Sequence, residues 1–262
     1  MECSHCGLQF IDPVPDQKRL NEIYADYYNR WGIESSGENV SKMKTNTFRD
    51  YIEKITRFTS TGRLLDIGCA TGELMLVAQE KGFDVFGVEI SPQGIDRCRE
   101  LFGKEKIVTH ALRGDEFPSG YFDVITMSDV FEHIIEPHSH VNILWNFLKH
   151  NGLLMLVTPD TSSWSKRIMK MRWPHYKEEH VYYYSSHNIT GLFSDRFETI
   201  ILTAAHKNLT LQYGLNVLKK YSESNTFRNI GGILKYIPRR VKNHSFKINF
   251  GEMFVLLRKK IR

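Results

Sequence analysis

The chain has 262 residues, 41% of them hydrophobic and 25% charged, the balance of a globular protein with one sizeable core and room for an appendage. No apolar run approaches the ~20 residues needed to cross a bilayer, and no basic-then-apolar leader opens the chain, so a cytoplasmic protein is expected, membrane-peripheral at most. The formal net charge of +5 is unevenly spread: from Ala204 onward, 13 Lys or Arg face only Glu223 and Glu252, which suggests contact with something anionic.

The chain opens with Cys3-Ser4-His5-Cys6-Gly7, the spacing of one zinc knuckle. Structural zinc needs four ligands and no second Cys-x-x-Cys follows, so no metal is expected and the knuckle reads as half of a ribbon. Asp12-Pro13-Val14-Pro15 is a rigid, extended connector. Leu20, Ile23, Tyr24, Tyr27 and Tyr28 then recur at helical spacing. Residues 31–44, polar and with two glycines, predict a loop, and helical periodicity resumes at Phe48, Ile52, Ile55 and Phe58. Residues 1–60 therefore form an N-terminal extension.

From residue 61 the pattern changes. Leu64-Leu65-Asp66-Ile67 predicts a buried strand, followed by a glycine turn, a helix through Leu74, Leu76, Val77 and Ala78, and Gly82 as its close. Residues 84–90 are a second strand, with Ser91 as N-cap and Pro92 at the first position of the next helix. Further strands are expected at 107–109, 122–127 and 152–157, with a helix carrying Val141, Leu144, Trp145, Phe147 and Leu148 before the last. Two more strands, 197–203 and 253–258, close the series. Strands alternating with helices at this rhythm predict an α/β fold with a doubly wound, seven-stranded Rossmann-like sheet. The domain spans 61–205 and 247–262, interrupted by a basic insertion, 206–246, expected to be helical around 209–218 and 229–235.

The unit strand–Asp66-Ile67-Gly68-Cys69-Ala70-Thr71-Gly72–helix carries the first chemistry. Its glycines let the backbone approach a ligand, and the helix N-terminus offers unpaired N–H groups. Alone, this pattern fits NAD, FAD and S-adenosylmethionine proteins. Glu89, ending the next strand, is placed to accept hydrogen bonds from a ribose.

Residues 64–72 resemble motif I of the class I S-adenosylmethionine (SAM)-dependent methyltransferases, and Gly87-Val88-Glu89-Ile90-Ser91 resembles their second motif. Phe122-Asp123-Val124-Ile125 with Val130-Phe131-Glu132-His133-Ile134, and the stretch 149–160, are similar to their fourth- and fifth-strand segments. His180-Val181-Tyr182-Tyr183-Tyr184-Ser185 is similar to the ubiquinone-O-methyltransferase-like branch, which includes enzymes acting on sugars, glycans and secondary metabolites. The chain departs in having Ala70 where a third glycine is common, and Ala111 where an acidic residue often stands. The resemblance implies SAM as cofactor, with S-adenosylhomocysteine as product. The implied contacts are Asp66, Gly68, Cys69, Gly72, Glu89, Ile90, Ser128 and Asp129, with Tyr28 as a lid.

Methyl transfer to an oxygen needs alignment and a general base. His180 is the first candidate, by its place after the fifth strand; His133, with Glu132 beside it in sequence, is the second, and His175 is the third. Three functions stay open: a methyltransferase for a small-molecule or glycan acceptor, free or lipid-linked; a nucleic-acid methyltransferase; and a non-catalytic SAM-binding protein. The second lacks an Asn-Pro-Pro-Tyr-like or Pro-Cys motif at the fourth strand, where Ser128-Asp129-Val130-Phe131 stands. The basic insertion, with its interleaved leucines, suits anionic lipid or a phosphate-bearing acceptor.

Overall fold

A computed structural model describes residues 1–16, 19, 20, 22, 38–210 and 244–261. Strand alternation builds its core. In β2 (Gly62–Ile67), β5 (Phe122–Ser128), β6 (Leu148–Pro159) and β11 (Glu252–Lys259) apolar residues occupy both faces, since successive side chains go to opposite sides. Leu64, Val124, Met155 and Phe254 join one cluster; Leu65, Ile125, Leu154 and Val255 join the other. Strands apolar on both sides require both faces to be covered.

Helices supply the cover. On the first face lie α1 (Glu38–Ile55), through Tyr51, Ile52 and Ile55, and α2 (Glu73–Glu80), through Leu74, Met75, Val77 and Ala78. Cys98 of α3 (Pro92–Phe102) joins them. On the second lie α4 (Pro137–Phe147), through Val141, Leu144 and Phe147, and α6 (Ser186–Phe193), through Ile189 and Phe193. With β3 (Phe83–Val88), β4 (Ile107–Val108) and β8 (Phe197–Ala204), the sheet has the order β4-β3-β2-β5-β6-β11-β8. The first five strands pair in parallel, and β11 is antiparallel between β6 and β8. This is the expected seven-stranded sheet. The strand order reverses between β2 and β5, which opens a crevice at their carboxyl ends where ligands of such sheets bind.

Gly87 shows how tightly the first three strands and α2 meet. A β-carbon there would lie 2.7 Å from Cys69 Sγ, 2.9 Å from Met75 Sδ and 3.2 Å from Ile107 Cδ1. Gly87→Ala should therefore cost about 1–3 kcal/mol of stability by overpacking, read as a lower urea midpoint with unchanged slope.

Several expectations need correction. Residues 38–44 are not loop: α1 begins at Glu38, and Met43 and Thr47, one turn apart, are buried on the side that carries Tyr51. The helix also stops at Ile55, leaving Phe58 exposed beyond it. Leu148, expected on the α4 stripe, begins β6. The ends of the insertion are strands rather than helix: β9 (Lys207–Thr210) and β10 (Ser245–Ile248) pair antiparallel, Leu209 opposite Phe246. Alternation over four residues is too short to distinguish from a helical turn by sequence. The pair is clamped onto α1, where Asn208 N donates to Thr47 Oγ1 and Lys247 Nζ to Asp50. Residues 211–243, with the rest of the predicted insertion helices, and 23–37, with Tyr27 and Tyr28, lie outside the described residues.

One unexpected pairing ties the N-terminus to the domain. β1 (Gln9–Phe10) pairs antiparallel with β7 (Tyr182–Tyr183), and Ile11 N donates to Val181 O. The knuckle itself is a closed turn, Cys3 N donating to Leu8 O and Gly7 N to Cys3 O. Asn188 Nδ2 fastens it by donating to Cys6 O. Cys3 and Cys6 are free thiols. The N–H groups of Cys6 and His5 hold the Cys3 thiol below its usual range.

Candidate active site

Two clusters meet at the carboxyl ends of β2, β3, β5 and β6. The first surrounds the glycine turn. Gly68, Ala70 and Gly72 all have positive φ, at 73°, 47° and 85°, so the chain winds tightly from β2 into α2. No side chain caps α2, whose first N–H groups face the crevice end of the sheet. Glu89 holds the turn in place. Its Oε2 accepts from Ala70 N at 2.7 Å, and its Oε1 accepts from Ile90 N and Ser91 N at 2.9 and 2.8 Å. Ser91 caps α3 as expected, accepting from Gly94 N. Ile90 is 43% exposed beside Glu89.

Asp66 and Cys69 stand differently. Asp66 is buried and accepts from Thr126 Oγ1 at 2.7 Å, bracing β2 against β5. Burial, opposed by that hydroxyl and helped by the Glu89 and Glu73 charges, pushes its carboxyl up to about 7. Cys69 turns its thiol into the core, 3.7 Å from Cys98 Sγ, so only its backbone serves the turn. Because folding favours the protonated Asp66, its stabilising contribution is full below about pH 4 and fades as pH rises toward 7. Asp66→Asn keeps an acceptor for Thr126 but cannot ionise. Thermal melts from pH 4 to 7.5 should show the wild type losing ground to the variant as pH rises.

The second cluster lies just past β5. Asp129 takes a positive φ of 57° and its N–H donates to Val157 O, which turns the chain out of the sheet. Lys207 of β9 reaches it at 3.2 Å and meets Glu252 at 2.5 Å. Although confinement opposes it, the Lys207 ammonium holds the Asp129 carboxyl below the usual range. Sequence reading missed Lys207 entirely, because 78 residues separate it from Asp129. Ser128, the last residue of β5, is partly buried beside Asp129.

Deeper in, Glu132 is buried, with Oε2 accepting from Thr158 Oγ1 at 2.9 Å and Oε1 4.0 Å from His180 Nε2. Burial and the Asp129 charge push its carboxyl up to about 8. The His133 and His180 rings meet edge to face, 4.8 Å between centroids. His133 Nδ1 lies 2.8 Å from Glu179 O. A carbonyl can only accept, so Nδ1 carries the hydrogen and Nε2 the lone pair. His180 is 3% exposed while His133 is only partly buried, so His133 is the more accessible of the two. Burial lowers both imidazoles below their ordinary range. His175 stands near the same charges and is pushed down to about 4, chiefly by burial. Glu132, His133 and His180 also have ligand atoms within 4.8 Å of one another, a spacing that suits a metal ion.

A glycine turn at the switch point, a strand-end glutamate under it and a carboxyl–imidazole cluster beyond β5 are the features of a SAM-binding class I fold. The structure of a SAM-dependent methyltransferase from Archaeoglobus fulgidus aligns over 90% of this chain and all of that one, with a TM-score of 0.60 at 19% identity, a likeness of fold. The family described as "Methyltransferase domain" matches residues 43–196, and the chain belongs to it. Among curated relatives, the mitochondrial ubiquinone biosynthesis O-methyltransferase of Schizosaccharomyces pombe is 28% identical over 153 residues, 53% of this chain and 55% of that protein. The ubiquinone biosynthesis O-methyltransferase of Psychrobacter arcticus is 22% identical over 166 residues, 56% of this chain and 64% of its own length. The chain thus spans between half and two thirds of these relatives. No helix among the described residues is long and apolar enough to cross a membrane.

Proposed function

We propose that this protein transfers a methyl group from SAM to a hydroxyl oxygen of a small-molecule acceptor, free or carried on a glycan or lipid. The observation that carries the reading is the fixed tautomer of His133: its Nδ1–H is held by the Glu179 carbonyl, leaving a basic Nε2 among Glu132 and His180. The O-methyltransferase names of the relatives point to the same transferred-to atom.

SAM, when bound, supplies an electrophilic methyl carbon whose sulfonium sulfur keeps the bonding electrons as S-adenosylhomocysteine forms. The residues present fit it: the uncapped α2 and the Gly68–Gly72 turn for its amino-acid end, Glu89 for the ribose and Ile90 for the base, with Ser128 and Asp129 flanking the reacting end. His133 Nε2 takes the acceptor's hydroxyl proton as its oxygen closes on the methyl carbon. His180 is a positioning residue, packed edge-on against that ring. Neutral imidazoles at pH 7 suit this step, since only the unprotonated ring accepts.

Methyl-labelled SAM should be incubated with the enzyme and cell extract separated into small molecules, glycolipids, RNA and protein. Label in the small-molecule or glycolipid fraction, strongly reduced with Glu89→Ala, is the expected result. Label in RNA would overturn the acceptor class, and label nowhere despite SAM binding would return the non-catalytic reading.

A further inference from the structure

The loop leaving β6 carries an exposed feature that methyl transfer does not use. It contains α5 (Trp164–Met169) and a 3-10 turn, Lys170–Arg172. Trp164 is 58% exposed, Ile168 72% and Met171 82%, with Met169 beside them. Large apolar side chains at such exposure, clustered within nine residues, are uncommon on a surface that meets only water. Interleaved with them are Lys166, Arg167, Lys170 and Arg172, and no acidic residue occurs between positions 161 and 177. None of these four cations makes an ion pair with a described residue.

The feature is mounted firmly. Ser163 caps α5 by accepting from Lys166 N, and Lys170, at φ 50°, ends the helix. Beneath it, buried Ser165 donates to Phe250 O at 2.8 Å and accepts from Trp173 Nε1 at 3.0 Å. Phe250, itself exposed, extends the apolar area. Asp160 N donates to Gly251 O at the loop's origin, so the projection leaves the sheet at its carboxyl edge, on the acceptor side.

We propose that residues 164–172 dock the protein onto an anionic lipid bilayer. Exposed tryptophan and aliphatic side chains enter the interface, while the four cations meet lipid phosphates. Charge decides among occupants. A second copy of this surface would bring like cations together, whereas an anionic membrane neutralises all four. Docking here turns the acceptor edge of the sheet toward the bilayer, and it stands whether or not the acceptor proves to be an alcohol.

Flotation with vesicles of phosphatidylcholine, alone and mixed with phosphatidylglycerol, tests the proposal on the full chain. The wild type should float with the anionic vesicles and be released by high salt. Two double variants, Ile168→Asp with Met171→Asp and Arg167→Glu with Lys170→Glu, should each reduce the floated fraction by about tenfold or more. Calorimetric SAM binding without vesicles should be unchanged in both, which separates docking from the cofactor site. Failure of the wild type to float would sink the proposal. So would variants that float as well as it does, or variants that change only the protein's mass in solution, which would mark a protein contact instead.

Discussion

Glu89→Ala is expected to weaken SAM binding by about tenfold to a hundredfold, the scale of losing one or two hydrogen bonds to a charged group. The carboxylate does two jobs. Both its oxygens accept backbone N–H groups: Oε2 from Ala70 ties the end of β3 to the glycine turn, and Oε1 holds Ile90 and Ser91 at the start of α3. Truncation removes the anion proposed to meet the ribose and leaves three N–H groups without their acceptor. The turn then loses the carboxylate that holds Ala70 N, at a residue whose φ of 47° is unfavourable for a side chain with a β-carbon. Affinity should therefore fall together with the melting temperature, by calorimetry and thermal unfolding. Glu89→Gln keeps the shape but turns an amide N–H toward backbone donors, and should fall between the two. An alanine variant that binds SAM within twofold of wild type would remove Glu89 from the cofactor site.

His133→Ala is expected to lower kcat by about a hundredfold to ten-thousandfold, the range for loss of a positioned general base. SAM affinity should hold, because the groups assigned to the cofactor do not include this ring. Its burial lowers the imidazole from the ordinary range, so falling pH should protonate Nε2 only in acid. The rate of the wild type should fall on an acid limb below the usual imidazole value; the variant should lose that limb. His180→Asn tests positioning: it removes the ring packed against His133 without touching the Glu179 carbonyl that sets the tautomer. It should lower kcat less than His133→Ala and leave the acid limb present but displaced, since neighbouring His180 is one of the groups facing His133. Equal kcat in wild type and His133→Ala would refute the base assignment.

Most of the sheet was legible because strands covered on both faces are continuous apolar runs. Leu153–Val157 is such a run, and Leu64–Ile67 and Phe122–Met127 are broken only by Asp66, Asp123 and Thr126. The glycine turn, Glu89 and the Ser91-Pro92 helix start were equally plain, since each is a local device whose residue type is set by backbone conformation over a few positions. His180 and His133 could be named as candidates, with His180 first, but the sequence held no information on their accessibility or tautomer, which depend on neighbours such as Glu179, 46 residues from His133.

Sequence alone thus determined the class of fold and the glycine turn from β2 into α2, both of them functions of short-range pattern. The tertiary structure decided the rest. It brought Lys207 to Asp129 and Glu252 and set Glu132 against His180. It also paired Gln9 with Tyr183 and left Ile168 and Met171 in the open rather than in the core. Each is a meeting of distant segments, or its absence, and apolar periodicity reads the same whether a face finds a partner in the same chain or only at its surface.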